Sequence, residues 1–271
     1  MLHEIGPRIY HPEYVNKKAT LSDYMLCYRL SAVLFVKDKK TEALRIPCYK
    51  DIKKDFSKDY KAIHKLSVYL CAVDMEEFFV VNSEEFSFEY EDDEKIYIFK
   101  DFISFRNFNP AYMAFAGVTG NHVYNWLRSR VYCGHCGSKN KLSKHERAMV
   151  CPKCKNTEYP KISPAIIVAV RDKDRLLLVK PAKSTYKFYA LVAGFIEIGE
   201  TPEDAVRREC MEEVGIKIKN ILPYKSQPWG FSGSLMLGFI ADLDGSSELK
   251  LQEEEISEAA WFERSKVPVP S

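Results

Sequence analysis

Long apolar runs are missing from this 271-residue chain. No stretch approaches the roughly 18–20 uninterrupted apolar residues that a membrane-spanning helix requires. The opening MLHEIGPRIYHPEY also lacks the basic start and apolar core of a secretory signal. Both absences point to a cytoplasmic protein without a membrane partner. A surplus of charge of one sign is missing too: 40 Lys and Arg face 38 Asp and Glu, a net +2. Bulk composition therefore gives no pull toward nucleic acid or an anionic bilayer, although it does not exclude nucleic acid. No internal repeat and no low-complexity linker is present. What remains is ordinary for a globular protein, with 46% hydrophobic and 29% charged residues, and the length suits two domains or one plus a small module.

Residues 24–100 read as strands: 31–36, 43–49, 65–73, 77–81 and 95–100 are rich in β-branched and aromatic side chains between charged turns. The lysines of VKDKKTE and DIKKDFSKDYK are expected in solvated loops, with a phosphate-binding patch as the lesser alternative. A helix is expected after Asn109, with Asn109 as N-cap and Pro110 at its first position. Gly120 is expected to interrupt it before Arg130. The run from Pro164 to Val179, broken at Asp172-Lys173-Asp174, reads as a hairpin. The closing SKVPVPS carries no stop signal and reads as a truncated end.

Eight cysteines fall into two groups. Cys27, Cys48, Cys71 and Cys210 sit among apolar neighbours and read as buried, reduced thiols. Cys133, Cys136, Cys151 and Cys154 form two C-x2-C pairs separated by fourteen residues. Each pair presents two thiolates on one tight turn, and two such turns close a tetrahedron around Zn²⁺. The alternatives are four loop thiols or two disulfides; the spacing favours zinc. Four thiolates leave no open coordination position, so the zinc is expected to be structural. His135 reads as a turn residue and His145 as a surface residue.

A helix is expected over 202–214, capped by Thr201, with Pro202 at its first position and Gly215 ending it. Val206, Cys210 and Val214 recur every four residues and form its buried ridge. Glu209 and Glu213 project from one side, Glu212 lies nearby in an i,i+4 pair with Arg208, and Glu200 stands at the helix entrance. Crowded carboxylates raise one another's pKa unless a cation lies between them. A hard divalent ion such as Mg²⁺ or Mn²⁺ resolves the repulsion. A solvated acidic face is the plain alternative.

The spacing of Gly194, Glu200, Arg208, Glu209, Glu212, Glu213, Gly215 and Ile216 resembles the Nudix box, with Cys210 in place of its first aliphatic residue. The resemblance implies an α+β Nudix fold, a mixed sheet sandwiched between helices, and metal-dependent hydrolysis of a nucleoside diphosphate linked to another moiety. It implies that Glu209, Glu213, Glu255 and Ala193 hold the metal, with the register open among Glu253, Glu254 and Glu255. Glu213, with Glu212 as a candidate helper, would position or deprotonate the attacking water.

Two further stretches are similar to the NADH pyrophosphatase subfamily. Ser226-Gln227-Pro228-Trp229-Gly230-Phe231-Ser232-Gly233-Ser234 resembles its SQPWPFPxS element. Gly230 and Ser232 stand where that element has prolines, so a less rigid loop is expected. The four-cysteine ribbon followed by Tyr159-Pro160-Lys161-Ile162-Ser163-Pro164 resembles the ribbon and Y-P-R-x-x-P that precede the subfamily's Nudix domain, with Lys161 for Arg. By this resemblance Tyr159, Phe195, Glu146 and residues Gln227 to Ser234 bind substrate. The resemblance covers about Tyr132 to Phe262, and relatives add a further helix beyond it.

The expected organisation is a strand-rich N-terminal domain ending in a helix (1–130), a zinc ribbon (131–158) and a Nudix domain (159–271). The expected function is hydrolysis of NAD(H) to NMN(H) and AMP by a homodimer, with removal of NAD caps from RNA as a related activity. The alternatives are a Nudix hydrolase acting on ADP-ribose or a similar diphosphate, and a non-catalytic zinc-ribbon module that binds RNA.

Overall fold

The structure, a computed structural model, describes residues 2–183 and 188–268. It divides into two compact units, Met1–Lys161 with Gly230–Ser232, and Ile162–Trp229 with Gly233–Ser271.

The first unit contains β1 (Tyr10–His11), β2 (Tyr24–Arg29), β3 (Ala32–Asp38), β4 (Leu44–Arg45), α1 (Tyr49–Asp55), α2 (Tyr60–Leu66), β5 (Val68–Val73), β6 (Glu76–Asn82), β7 (Lys95–Asp101) and α3 (Ala111–Ser129). Its strands form one sheet in the order β1-β5-β6-β2-β3-β4, with β7 also paired to β3. Successive side chains of a strand point to opposite faces, and β2 shows the consequence. Leu26 and Tyr28 join the cluster that contains α3, while Met25 and Cys27 join the cluster that contains Tyr49, Ile52 and Ile63 of α1 and α2. Helices thus cover both faces. A strand buried on both faces reads as a continuous apolar run without alternation, which is why YMLCYR does not stand out as a strand in the sequence.

Several expectations change here. The lysine-rich stretch 51–61 is not loop but most of α1 and the start of α2. Its apolar Ile52 and Phe56, with Ile63 just beyond it, point into the core, at a spacing too sparse to reveal two seven-residue helices. Gly120 does not interrupt α3, which runs unbroken from Ala111 to Ser129 with Pro110 as its N-cap, one residue later than expected. A Cβ at Gly120 would come within 2.7 Å of the Tyr28 hydroxyl oxygen, and one at Gly117 within 2.2 Å of the Phe105 ring. Gly120 brings the helix close to the sheet and Gly117 brings it close to the Phe105 ring, and that packing offsets the ~1 kcal/mol helix cost of each. Of the scattered cysteines, Cys27, Cys71 and Cys210 are buried and Cys48 is only half-buried.

The same unit carries a small sheet, β8 (Lys141–Leu142), β9 (Met149–Val150) and β10 (Thr157–Glu158), in the order β10-β9-β8.

The second unit contains β11 (Ser163–Asp172), β12 (Arg175–Pro181), β13 (Val192–Phe195), α4 (Pro202–Val214), β14 (Ile218–Trp229), β15 (Ser234–Leu243) and β16 (Ile256–Glu263). The sheet order is β14-β15-β11-β12-β16, with β13 on β11, and it is mixed because β11 and β15 run parallel. The expected hairpin is present: Arg171 pairs with Leu176 and Asp172 with Arg175. Helix α4 spans the expected residues. The Thr201 hydroxyl accepts from the Asp204 N–H, and Gly215 closes the helix at φ 71° in the left-handed region, where glycine carries no steric cost. Val206, Cys210 and Val214 are fully buried against Ile166, Val168, Leu177, Val179 and Phe239 of the sheet. Burial of each valine contributes about 1.5–3 kcal/mol. Among the described residues, α4 is this unit's one α-helix.

Candidate active site and metal centres

The ribbon turns are built alike. The N–H of Cys133 donates to the Ser138 carbonyl and that of Gly137 to the Cys133 carbonyl; Cys151 with Asn156, and Lys155 with Cys151, repeat the pattern. Gly137 and Lys155 occupy equivalent left-handed positions, at φ 70° and 64°. The Sγ atoms of all four cysteines lie within 4.8 Å of one another, with Cys133 and Cys154 3.6 Å apart and Cys136 and Cys151 3.5 Å apart. Tetrahedral Zn–S bonds of ~2.3 Å place sulfurs roughly 3.8 Å apart, so the cluster fits zinc. The backbone N–H and hydroxyl of Ser138 help lower the Cys136 thiol to about 6, which favours the thiolate that binds metal. His135 and His145 are exposed.

In the second unit β13 and α4 meet at Gly194. A Cβ there would fall 1.9 Å from Glu209 Oε1 and 2.0 Å from its Cδ. The bare backbone is therefore a cradle for the Glu209 carboxylate. Arg208 fixes the arrangement. Its Nε and Nη2 donate to the two Glu200 oxygens at 2.8 and 2.9 Å, its Nη1 to Glu209 at 2.8 Å and Glu212 at 3.0 Å, and its Nη2 also to the Phe195 carbonyl at 2.9 Å. The sequence reading paired Arg208 with Glu212 alone. The arginine ties the strand end, the helix entrance and the helix face together. The fixed Arg–Glu step in the box was the only signal for this role.

Glu209 and Glu213 are buried, at 8% and 6% exposure. Burial raises the Glu209 pKa despite the Arg208 guanidinium, and Arg208 holds Glu200 below the usual carboxylate range. For Glu213, burial acts first, and the charges of Glu209, Glu255 and Glu212 add to it, pushing it up to about 8. It has no salt-bridge partner among the described residues. A buried carboxyl facing three others, with no cation of its own, fits a divalent ion bound by oxygen ligands. Glu255 is exposed, immediately before β16, and its backbone carbonyl accepts from the Ala182 N–H at 2.7 Å. Its charge acts on both Glu209 and Glu213. Ala193 is an exposed residue of β13, paired with Ile167. Among the described residues, only the four cysteines bring three or more candidate ligand atoms within 4.8 Å of one another; the glutamates stand further apart.

The stretch expected to be a loop is a β-hairpin. Ser226 pairs with Leu237, Gln227 with Met236, Pro228 with Leu235 and Trp229 with Ser234, leaving Gly230 to Gly233 as the turn. Turn residues Gly230–Ser232 cluster with the first unit. There the Phe231 ring lies 5.8 Å from that of Phe102 and 4.8 Å from the Arg106 guanidinium carbon. A Cβ at Gly230 would approach Val118 Cγ1 to 2.7 Å and its carbonyl oxygen to 2.8 Å. The missing proline is thus matched by close packing rather than by looseness. Also in the first unit, the Tyr159 hydroxyl donates to Glu146 Oε2 at 3.1 Å, which raises the tyrosine pKa. Phe195 is 54% exposed, at the end of β13.

Two stretches of the chain match known domain families. Residues 161–271 match the NUDIX domain model, and residues 128–159 match that of the NADH pyrophosphatase zinc ribbon domain. The chain thus carries a Nudix domain preceded by a stretch that matches the zinc ribbon of NADH pyrophosphatases. Over 150 residues it is 43% identical to the NAD-capped RNA hydrolase NudC of Shigella dysenteriae serotype 1 and to that of Escherichia coli O1:K1. Each match covers 55% of this chain and 58% of the relative, so the chain spans less than two thirds of the relatives' length. A solved Nudix hydrolase from Nitrosomonas europaea is 22% identical, with a TM-score of 0.43, over 51% of this chain and 80% of that one. Among the described residues no helix is long and apolar enough to cross a membrane.

Proposed function

We propose that this Nudix protein hydrolyses the diphosphate bond of NAD(H) to NMN(H) and AMP, and that it removes NAD caps from RNA 5′ ends. The observation that carries the reading is the buried Glu209–Glu213 pair, with Glu209 cradled at Gly194 and clamped by Arg208. The SQPW-type hairpin and the zinc ribbon support NAD(H) over other diphosphates, since the box alone is shared by hydrolases of many substrates. The two relatives compared are named as NAD-capped RNA hydrolases, which supports the second activity.

Glu209, Glu213, Glu255 and Ala193 would hold Mg²⁺ or Mn²⁺; the electrostatic reach of Glu255 to both helix glutamates favours it over Glu253 and Glu254. A bound ion would polarise the diphosphate and acidify water beside it. Glu213, aided by Glu212, would accept a proton from the attacking water as the water oxygen bonds to phosphorus. The bridging P–O bond then breaks and its electrons leave with the departing phosphate. Arg208 keeps Glu209 and Glu200 in place and touches no substrate in this scheme. Tyr159, Phe195 and Trp229 offer aromatic faces to planar rings; Glu146, Gln227, Pro228, Gly230, Phe231, Ser232, Gly233 and Ser234 complete the proposed substrate set. The reading treats 1–130, 131–158 and 159–271 as domains. Its homodimer and cytoplasmic location rest on resemblance and composition.

The test is incubation with Mg²⁺ or Mn²⁺ and NADH, with products identified by mass. NMNH and AMP are expected from the wild type and none from a folded Glu213→Gln variant. Cleavage of ADP-ribose but not NADH would discard the substrate assignment, and an active Glu213→Gln would discard the metal site.

A further inference from the structure

Six lysines occupy the sixteen residues from Lys50 to Lys65: Lys50, Lys53, Lys54, Lys58, Lys61 and Lys65, all exposed. Lys50, Lys53 and Lys54 are spaced i, i+3, i+4 along α1, and Lys61 and Lys65 i, i+4 along α2, so each set shares a helix face. Lys58 lies in the connection between the helices. None of the six pairs with an acid among the described residues.

The acids of the same stretch are turned away. Both oxygens of Asp51 accept from Arg45, at 2.6 and 2.8 Å, and one also accepts from the Cys48 N–H at 2.9 Å. The Asp55 side chain is 1% exposed, paired with Lys95 and accepting from the Tyr97 hydroxyl at 2.6 Å. Of the three aspartates in the stretch, only Asp59, half-buried, has no cation partner among the described residues. A segment with six lysines against three aspartates therefore presents a more cationic surface than its sequence suggests, because the fold pairs two of the three aspartates with Arg45 and Lys95. Bulk net charge conceals this.

We infer that the α1–α2 surface docks the phosphate backbone of single-stranded RNA, the body of a capped substrate, an inference that rests on the proposed decapping reading. An anionic bilayer is the poorer fit. Helices that lie on membranes present an apolar face to the lipid, whereas here Ile52, Phe56 and Ile63 are buried. Of the large apolar residues of α1 and α2 only Leu66, at 51%, is exposed.

Lysine–phosphate contacts release counterions, and each steepens the salt dependence of single-strand binding by about 0.7 log units per log unit of salt. Engagement of all six would cost about 300-fold in affinity between 50 and 200 mM salt, against about 7-fold for the two contacts left after four are removed. The experiment compares wild type with the quadruple variant Lys53→Gln, Lys54→Gln, Lys58→Gln, Lys61→Gln. Fluorescence anisotropy of a labelled 5′-NAD RNA oligonucleotide is titrated at several salt concentrations without added divalent ion. Turnover of free NADH and binding to phosphatidylserine vesicles are measured alongside.

The variant should bind RNA more weakly, with a slope shallower by about 3, and split NADH as the wild type does. Unchanged RNA affinity and slope would overturn the inference, as would loss of vesicle binding alone. A wild type that splits no diphosphate would end the catalytic reading; the binding slopes would still decide the surface.

Discussion

Substitution of Gly194 by alanine tests the metal site without replacing a proposed ligand. Gly194 is not in the left-handed region, so alanine is tolerated by the backbone. Its Cβ, however, would lie 1.9 Å from Glu209 Oε1, and the carboxylate must retreat by roughly 1.5 Å to reach an ordinary contact. The displaced group is the end of a flexible side chain, so the fold should survive while the 2.8 Å bond from Arg208 to Glu209 is lost. Misplacement of about 1 Å at a reacting centre can cost ~100-fold in rate, or about 2.7 kcal/mol of barrier. The assay is kcat for NADH at saturating substrate across a Mn²⁺ titration, with the melting temperature as a control for folding. Gly194→Ala should keep its melting temperature within a few degrees, fall about 100-fold in kcat and require more metal. A kcat within a few-fold of wild type, with unchanged metal dependence, would refute the cradle and the role given to Glu209.

The other centres yield shorter tests. Cys151→Ser should release zinc, read by a chromogenic chelator, and destabilise the ribbon, because metal binding and folding are one equilibrium in such modules; a folded, metal-free variant would contradict a structural zinc. Asp51 is held at about 2: burial alone would raise it, but the Arg45 guanidinium and the Cys48 N–H outweigh burial. Its folded pKa lies below its unfolded value, so its contribution is present above about pH 4 and lost as pH falls toward 2. Asp51→Asn should cost about 2 kcal/mol in urea unfolding at pH 7, and the gap should close between pH 4 and 2; a pH-independent gap would contradict the ion pair.

Legibility followed the reach of each signal. Helix α4 was fully readable because its cap, its first-turn proline, its four-residue ridge and its terminal glycine are local, and each points to the same helix. The ribbon was readable for the same reason. Helices α1 and α2 were not, since seven residues with one or two core contacts leave no usable period. Gly120 misled because propensity counts a glycine as a break, whereas α3 needs its missing Cβ beside Tyr28. Such close approach is a property of two elements distant in sequence, and neither one encodes it alone.

The candidate site divides along the same line. Spacing on one helix was enough to gather Glu209, Glu212 and Glu213, but Arg208 was read as a helix-surface pair because two of its other partners, Glu200 and the Phe195 carbonyl, lie outside that helix. The lysines show the converse. Counted along the chain they are diluted by Asp51, Asp55 and Asp59, and a solvated loop was the fair reading. Arg45 and Lys95 draw two of those aspartates inward, so the lysine excess is larger on the folded face than along the chain. Charge that is balanced in sequence need not be balanced on a face, and a near-zero net charge is therefore weak evidence against a polyanionic partner.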